Sequence, residues 1–200
     1  YLVVRQRDGV GLTLFDEDVV DRIPPRSTKG HLHTILTRLE KAAPGARTDL
    51  GKPLHALAEQ TRRRGFVVLI SDLLDDPAVI IDGLRHFRFT GHDVIVFHLM
   101  DRQELSFDFK DMVEFEDLET GETILVEAEA AKELYLDNLT RFQETLRREC
   151  TLLGIDYAMI ATDQPLDFAL VEYLAARSRR KYKRAEQVQV LPLLARRGPG

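Results

Sequence analysis

Two uninterrupted apolar runs, Phe66-Val67-Val68-Leu69-Ile70 and Val94-Ile95-Val96-Phe97-His98, set the fold class of this chain. Neither run alternates polar with apolar residues, so each predicts a strand covered on both faces, as in a parallel sheet between helix layers. Between the runs, Pro77 suits the first turn of a helix that reaches about Phe89, and Gly91 ends it. Strand, helix and strand in this order predict a right-handed βαβ unit and an α/β fold.

Similar patterns continue on both sides of this unit. Toward the N-terminus, Val10–Phe15 and Val19–Ile23 predict a hairpin at a sheet edge, because Pro24-Pro25 follows and proline is confined to edges and strand ends. Short alternating pieces at about 104–126 predict a small antiparallel β-meander inserted in the α/β body. The remaining periodic segments predict helices near 28–44, 48–64, 128–153 and 165–176, and a strand over 155–160.

The composition is that of a globular protein of 200 residues, 44% of them hydrophobic and 30% charged. A single cysteine excludes an intramolecular disulfide and a zinc site built from several cysteines. No apolar run approaches the roughly 20 residues of a membrane-spanning helix. We therefore expect a cytoplasmic protein with no transmembrane segment.

The net charge of −5 combines two regions of opposite sign. Residues 177–200 carry eight basic residues and one acidic residue, so the rest of the chain is strongly acidic. We predict one domain over residues 1–176 and a flexible basic tail over residues 177–200. The tail could contact anionic surfaces, but no nucleic-acid-binding motif accompanies it.

Several carboxylates follow predicted strands, at the edge of an α/β sheet where ligands usually bind. Oxygen ligands of this kind suit Mg²⁺. The alternative is that Asp72 and Asp76 cap the next helix, and the spacing before Pro77 favours that interpretation. The carboxylates concerned are Asp16, Asp72, Asp75, Asp76 and Asp101.

A second candidate is the small-residue loop Gly45-Ala46-Arg47-Thr48-Asp49-Leu50-Gly51, which opens a predicted helix. The hydroxyl of Thr48 could cap this helix or bind a metal or anion at its N-terminus. Taken alone, the loop favours capping.

Together, the loop Gly45 to Leu50 and the strand and loop Val67 to Leu73, which follow after one helix, resemble the von Willebrand factor A fold. In that family a metal-ion-dependent adhesion site (MIDAS) takes a Thr from one loop and an Asp from the end of a later strand. The closer resemblance is to the bacterial domain-of-unknown-function family numbered fifty-eight, whose genes accompany MoxR-type AAA+ ATPases. The motifs that carry it, in chain order, are Asp8 to Asp16, Pro24-Pro25-Arg26-Ser27, Gly45 to Leu50, Val67 to Pro77, Gly91 to His98, Asp117 to Glu122 and Gly154 to Tyr157.

The resemblance implies a three-layer, mostly parallel sheet with an antiparallel edge strand. It also implies that Thr48 and Asp72 are metal-site positions for Mg²⁺, with Asp49 only a neighbour. The family's first central strand ends in Asp-x-Ser-x-Ser, and this motif does not occur here. We therefore expect that the first strand is missing, that two neighbouring strands lack backbone partners, and that Mg²⁺ binds this chain poorly or not at all.

We expect the remaining candidate residues, five histidines and one cysteine, to have structural roles. His31, His33, His86, His92 and His98 show no spacing typical of a transition-metal site. Cys150 lies among apolar neighbours near the end of a long helix, which predicts a buried packing thiol.

The resemblance implies a non-enzymatic protein interaction module that works with a MoxR-type AAA+ ATPase, or its substrate, in protein maturation or complex assembly. The metal would accept a carboxylate from the partner. The alternative function is a Mg²⁺-dependent phosphoryl hydrolase with Asp72, Asp75 and Asp76 as ligands and Asp16 or Asp101 as base. The chain has no Gly-x-x-x-x-Gly-Lys-Ser/Thr loop, which argues against an intrinsic nucleotide hydrolase.

Overall fold

A computed structural model describes residues 2–43, 49–117 and 121–179 of the chain. The helices are α1 (Leu2–Arg5), α2 (Lys29–Glu40), α3 (Gly51–Gln60), α4 (Pro77–Phe89), α5 (Arg102–Ser106), α6 (Ala128–Leu153) and α7 (166–179). The strands are β1 (Val10–Phe15), β2 (Val19–Arg26), β3 (Phe66–Ser71), β4 (Asp93–Met100), β5 (Met112–Glu116), β6 (Thr123–Glu127) and β7 (Asp156–Ala161).

The centre of the fold is a parallel three-stranded sheet in the order β3-β4-β7. Val68 lies beside Ile95 in this sheet, and Phe97 lies beside Ala158. Helix α4 connects β3 to β4, and α6 precedes β7, so the predicted βαβ unit and the α/β class are confirmed.

The helices α3, α4 and α6 pack on one face of this sheet and form the main core with it. Leu54 of α3, Leu84 of α4 and Leu146 of α6 are at most 2% exposed. Gly83 lets α3 and α4 come close, since a Cβ built there would lie 2.7 Å from the Cβ of Leu54. We call this face of the sheet the closed face.

The ends of the two long core helices follow from local sequence. At the start of α4, the Asp76 carboxylate accepts a hydrogen bond from the backbone N–H of Ala78, and Pro77 occupies the first turn. At the end of α6, Gly154 adopts φ +68°, a left-handed conformation that glycine adopts without strain. Both helices have the bounds that the sequence predicts.

Three predicted segments end at different residues or are absent. The helix predicted to reach residue 64 ends at Gln60, because the next carbonyl, that of Thr61, bonds the buried ring of His92 at 2.9 Å. The predicted meander is the hairpin β5–β6, and Phe107 to Phe109 is not a strand because Phe107 ends α5 with φ 45°. The last helix continues to residue 179, beyond the predicted end at 176. The tail is predicted over residues 177–200; residues 177–179 belong to this helix, and residues 180–200 lie outside the described part of the chain.

The opposite face of the sheet is covered only in part. Helix α7 packs on β4 and β7, where the ring of Tyr173 lies edge-on to Phe97 at 5.1 Å, and Arg177 pairs with Asp156 at 3.0 Å. The strand next to them, β3, leaves Phe66 66% exposed and Ile70 61% exposed on this face. The prediction that this strand is covered on both faces is therefore wrong for the described chain.

Two strand edges flank a groove. In the described chain, β1 pairs only with β2, and β3 pairs only with β4. Between them lie two adjoining hollows of about 890 and 560 Å³, and Thr13 and Phe15 of β1 line both. The hollow of about 890 Å³ reaches Asp72 and is called the upper hollow. The hollow of about 560 Å³ reaches Phe66 and is called the lower hollow. We call these hollows together the groove.

Candidate functional site

The candidate site is the loop that leaves the carboxyl end of β3. Leu73 is fully buried and adopts φ 56°, an unusual conformation for a residue with a side chain. Its backbone N–H donates to the hydroxyl of Ser71 at 3.0 Å. The buried leucine thus anchors the loop. We call the edge of the sheet at the carboxyl end of β3 the rim. The residue before the leucine, Asp72, projects from this rim into solvent at the upper end of the groove.

Asp72 differs from the two carboxylates that follow it. Its Oδ1 accepts a long hydrogen bond of 3.4 Å from the hydroxyl of Ser71. By contrast, Asp75 accepts from the backbone N–H of Leu50 at 3.0 Å and from that of Asp76 at 2.6 Å, and Asp76 caps α4. The capping prediction is confirmed for Asp76, while Asp72 makes no such bond in the described chain.

The bond from Leu50 to Asp75 also brings the second predicted loop to this rim. Leu50 is fully buried. The neighbouring Asp49 uses its Oδ1 to accept from the backbone N–H of Gly51 at 2.9 Å, which gives that carboxylate a structural role at the start of α3. Thr48 lies outside the described residues.

The two carboxylates considered as a catalytic base are also held by backbone groups. Asp16 accepts from the backbone N–H of Asp18 at 3.0 Å within the β1–β2 turn. Asp101 caps α5 through a capping box with Glu104, and it also accepts from the hydroxyl of Thr162. Asp16 lines the same hollow as Asp72, whereas Asp101 does not line that hollow.

A buried polar pair lies beneath the rim. His98 is fully buried on β4, beside Ser71 in the sheet, and its Nδ1 lies 2.6 Å from the hydroxyl of Tyr157. Burial lowers the pKa of His98, although the nearby Asp72 opposes this change. Burial also raises the pKa of Tyr157 to about 12. Both side chains are therefore neutral, and their contact packs the end of β4 against β7 without a buried charge.

The other candidate residues have the structural roles that the sequence predicts. His31 is buried and lies 2.7 Å from the carbonyl of Val10, and Cys150 is buried with a pKa raised to about 12 by burial. Sequence reasoning missed one contact, in which His55 and His86 approach to 3.1 Å between their Nδ1 atoms. These two histidines are 31 positions apart, and no local spacing signals their contact.

The donor set at the rim is small. Asp72 offers carboxylate oxygens that suit Mg²⁺, but the described donors fall short of the roughly six oxygen ligands that this ion takes. Across residues 2–43, 49–117 and 121–179, no three His, Cys, Asp or Glu side chains come together as a metal site. What the described rim presents is a rigidly held, solvent-facing carboxylate that can accept a cation or a hydrogen-bond donor.

No helix among the described residues has both the length and the hydropathy needed to cross a membrane. Two solved structures align with this chain at low similarity. The conserved hypothetical protein BatB of Bacteroides thetaiotaomicron aligns with 89% of this chain and 85% of its own, at 12% identity and a TM-score of 0.49. An aerotolerance-related membrane protein of Bacteroides fragilis aligns with 85% of this chain and 77% of its own, at 15% identity and a TM-score of 0.48.

Similarity in sequence is more informative. The uncharacterized proteins Mb1516 of Mycobacterium bovis and Rv1480 of Mycobacterium tuberculosis are each 29% identical to this chain over 117 residues, which is 56% of the chain. The aligned part spans 36% of the length of these curated relatives. The model of one family, described as "Protein of unknown function DUF58", matches residues 1–145. The chain therefore belongs to the DUF58 family.

Proposed function

We propose that this chain is a non-enzymatic protein–protein interaction module of the von Willebrand factor A type, acting in the cytoplasm. Its partner is a MoxR-type AAA+ ATPase or the substrate of one, in protein maturation or complex assembly. Membership of the DUF58 family supports this proposal through the resemblance that the sequence motifs carry.

The observation that carries the proposal is the contrast within the β3 loop. Asp75 and Asp76 are bound to backbone N–H groups, whereas the carboxylate of Asp72 faces solvent and accepts one long bond from a neighbouring hydroxyl. A carboxylate held on a rigid turn with free lone pairs is suited to binding rather than to capping. Asp72 is therefore the residue through which we expect the rim to bind.

In this proposal Asp72 and Thr48 are two positions of a partial Mg²⁺ site. Mg²⁺ usually keeps several waters and is held by one or two carboxylates. In this chain we expect weak Mg²⁺ binding that depends on Asp72. The ion supplies an open coordination position that an acidic group of the partner could occupy.

The phosphoryl hydrolase is the competing prediction. It requires Asp72, Asp75 and Asp76 to act together as ligands, yet the last two are each hydrogen-bonded to backbone groups. Such bonds already account for these residues without a metal. Asp16 and Asp101 also argue against the hydrolase. Hydrogen bonds to backbone groups already account for the positions of both carboxylates, without a role as a catalytic base.

Magnesium titration followed by NMR distinguishes the two functions when it is combined with a phosphatase assay. We expect Mg²⁺ to shift the amide signals around Asp72 with weak, millimolar affinity, and Asp72→Ala to abolish these shifts. No phosphate release is expected in either protein. A matched control is Asp137→Ala, which removes an exposed carboxylate paired with Arg141 on α6 and should leave the shifts unchanged.

Two outcomes would count against the proposal. Mg²⁺-dependent phosphate release that Asp72→Ala eliminates would establish the hydrolase instead. Mg²⁺ shifts that survive Asp72→Ala would place any metal elsewhere on the protein. The partnership is tested separately, by measuring whether a purified MoxR-type ATPase is retained by the immobilised chain with Mg²⁺ and lost with EDTA or with Asp72→Ala.

A further inference from the structure

Two histidines from neighbouring helices of the closed face meet ring to ring. His55 of α3 and His86 of α4 bring their Nδ1 atoms to 3.1 Å, and their ring centroids lie 5.3 Å apart. Both residues are only partly buried. The contact therefore joins two packed helices at a place that solvent can reach.

The other four histidines of the chain are engaged differently. His31, His92 and His98 are buried, and each has one ring nitrogen within hydrogen-bond distance of a carbonyl or hydroxyl oxygen. His33 is exposed on α2. In the described chain, two imidazoles turn their nitrogens toward each other at His55 and His86, and imidazole nitrogen is a ligand that Zn²⁺, Cu²⁺ and Ni²⁺ share.

A carboxylate determines which nitrogen of His55 is available. Oδ2 of Asp82 lies 3.3 Å from Nε2 of His55, the nitrogen that does not face His86. The other carboxylate oxygen of Asp82 accepts a hydrogen bond from Arg85 at 3.1 Å. When His55 donates its ring proton from Nε2 to Asp82, its lone pair is on Nδ1 and is directed at His86. Carboxylates orient the histidine ligands of metal sites in the same way.

The distance between the two Nδ1 atoms suits a shared metal ion. Zinc–nitrogen bonds of about 2.0–2.1 Å to atoms 3.1 Å apart make an angle of about 100° at the metal, near the tetrahedral value. In the structure the rings point almost directly at each other, so each must tilt for its lone pair to reach the ion. Rotation of a histidine ring about its Cβ–Cγ bond is soft, which permits this tilt.

The backbone beneath the pair is held firmly. Leu54, next to His55, contacts the α4 backbone at Gly83, three residues before His86, and Leu54 is 2% exposed. The side chain of His55 is 42% exposed, so water can reach the nitrogens. An ion at this place would have two protein ligands on a fixed backbone and water in its remaining positions.

We propose that His55 and His86 bind one divalent transition-metal ion, Zn²⁺ or Cu²⁺, between their Nδ1 atoms, with Asp82 as the residue that positions His55. The ion joins α3 to α4 across their exposed side. Two protein ligands make this site weaker than the four-ligand sites of structural zinc. Mg²⁺ takes oxygen ligands and does not compete for the pair. The inference is therefore independent of the Mg²⁺ site at Asp72 and of the proposed partner.

Calorimetric titration of the full chain with Zn²⁺ tests the proposal, with excess Mg²⁺ present to occupy oxygen sites. We expect one zinc ion per chain. His55→Ala and His86→Ala should each weaken binding by about tenfold or more, and Asp82→Ala should weaken it less, because Asp82 acts through His55. The matched control, His33→Ala at an exposed position of α2, should leave the affinity unchanged. Cu²⁺ should bind more tightly than Zn²⁺ to the same pair.

NMR of the histidine rings gives a second measurement, on the unaltered protein. Zinc should shift the Nδ1 signals of His55 and His86 while their Nε2 atoms stay protonated, because the metal takes the Nδ1 lone pairs. The ring signals of His33 should not respond. In Asp82→Ala, His55 should lose its preference for the Nε2-protonated form before zinc is added, a change that lost packing alone would not produce.

Three results would overturn the proposal. Zinc affinity that neither His55→Ala nor His86→Ala changes would place the ion elsewhere. Nδ1 signals that ignore zinc would leave the pair as a hydrogen bond between two histidines. Zinc-dependent dimers in analytical ultracentrifugation, lost in His55→Ala, would replace a site within one chain by a bridge between two copies.

Discussion

Strands β3 and β4 are neighbours in one sheet with very similar apolar sequences, yet they differ sharply in burial. Val96 at the centre of β4 is fully buried, and Ile95 beside it is 8% exposed on the opposite face. On β3, Leu69 is 5% exposed toward the closed face, but Val68 is 48% exposed toward the other. The pattern of apolar residues is the same in both strands, so the difference comes from what surrounds them.

The two faces of the sheet therefore differ in how far helices cover them in the described chain. Three helices cover the closed face, and α3 and α4 approach each other closely at Gly83. The groove side consists of the β1–β2 hairpin, helix α2 and the edge of β3 that pairs with no strand of the described chain. Substitutions of the same type should therefore have larger effects on the closed face than beside the groove.

The largest expected effect is a cavity in the closed core. Leu84→Ala should lower the free energy of unfolding by about 2–5 kcal/mol, because the leucine is 1% exposed and its neighbours cannot fully collapse. Val68→Ala on the open side of β3 should cost less than about 1 kcal/mol. Urea denaturation of both variants measures the contrast. Equal losses would mean that the open face of β3 is covered in solution.

A smaller effect is expected from filling the contact between α3 and α4. Gly83→Ala should destabilise the protein by about 1–3 kcal/mol, because the new methyl group meets Leu54. The matched control is Gly30→Ala in α2, where nothing lies within 4 Å of the new Cβ. There the helix preference of alanine should leave stability unchanged or raise it slightly. Thermal unfolding of the two variants should give shifts of opposite sign or of clearly different size.

The stability of the closed side should also depend on pH. Burial lowers the pKa of His98, so the folded protein keeps this ring neutral while the unfolded chain takes up a proton below about pH 6.5. The unfolded state then binds more protons, and stability falls as the pH drops below that value. The slope from this one group is at most about 1.4 kcal/mol per pH unit.

His98→Gln should reduce that slope while its side-chain oxygen can still accept from Tyr157. His33→Gln, at an exposed position of α2, is the control and should leave the slope unchanged. The comparison uses urea denaturation at pH 7.0 and pH 5.5. A steeper fall in His98→Gln than in the natural protein would contradict the assignment.

Helix capping gives the smallest of these contrasts. Asp76→Ala should cost about 1 kcal/mol, since the carboxylate caps α4 on the closed side. Thr28 stands at the same position of α2 beside the groove but makes no side-chain capping bond. Thr28→Ala should therefore cost less, and chemical denaturation of the pair would show it. A larger loss at Thr28 would mean that its hydroxyl caps α2 in solution.

Local signals predict much of this fold. The bounds of α4 and α6 follow from Asp76-Pro77, Gly154 and helical periodicity, and the parallel strands follow from their apolar runs. The capping bond of Asp76 was also predictable, because it joins residues two positions apart. The candidate site was predictable as a position, since Asp72 follows directly from the end of β3.

Other features depend on residues far apart in the chain. The end of α3 is set by His92, which lies 31 positions from Thr61 and bonds its carbonyl. Asp75 holds Leu50 across 25 positions, a bond that no spacing signals. The approach of His55 to His86 arises in the same way.

The sequence by itself determined the α/β class, the order of the elements and the acidic residues at the rim, because periodicity and capping act between near neighbours. Only the tertiary structure decided which of those carboxylates are already bound to backbone groups and which face of β3 is covered. Burial is a property of the elements that meet from distant positions. Two strands with the same local pattern can therefore end up one enclosed and one beside an open groove.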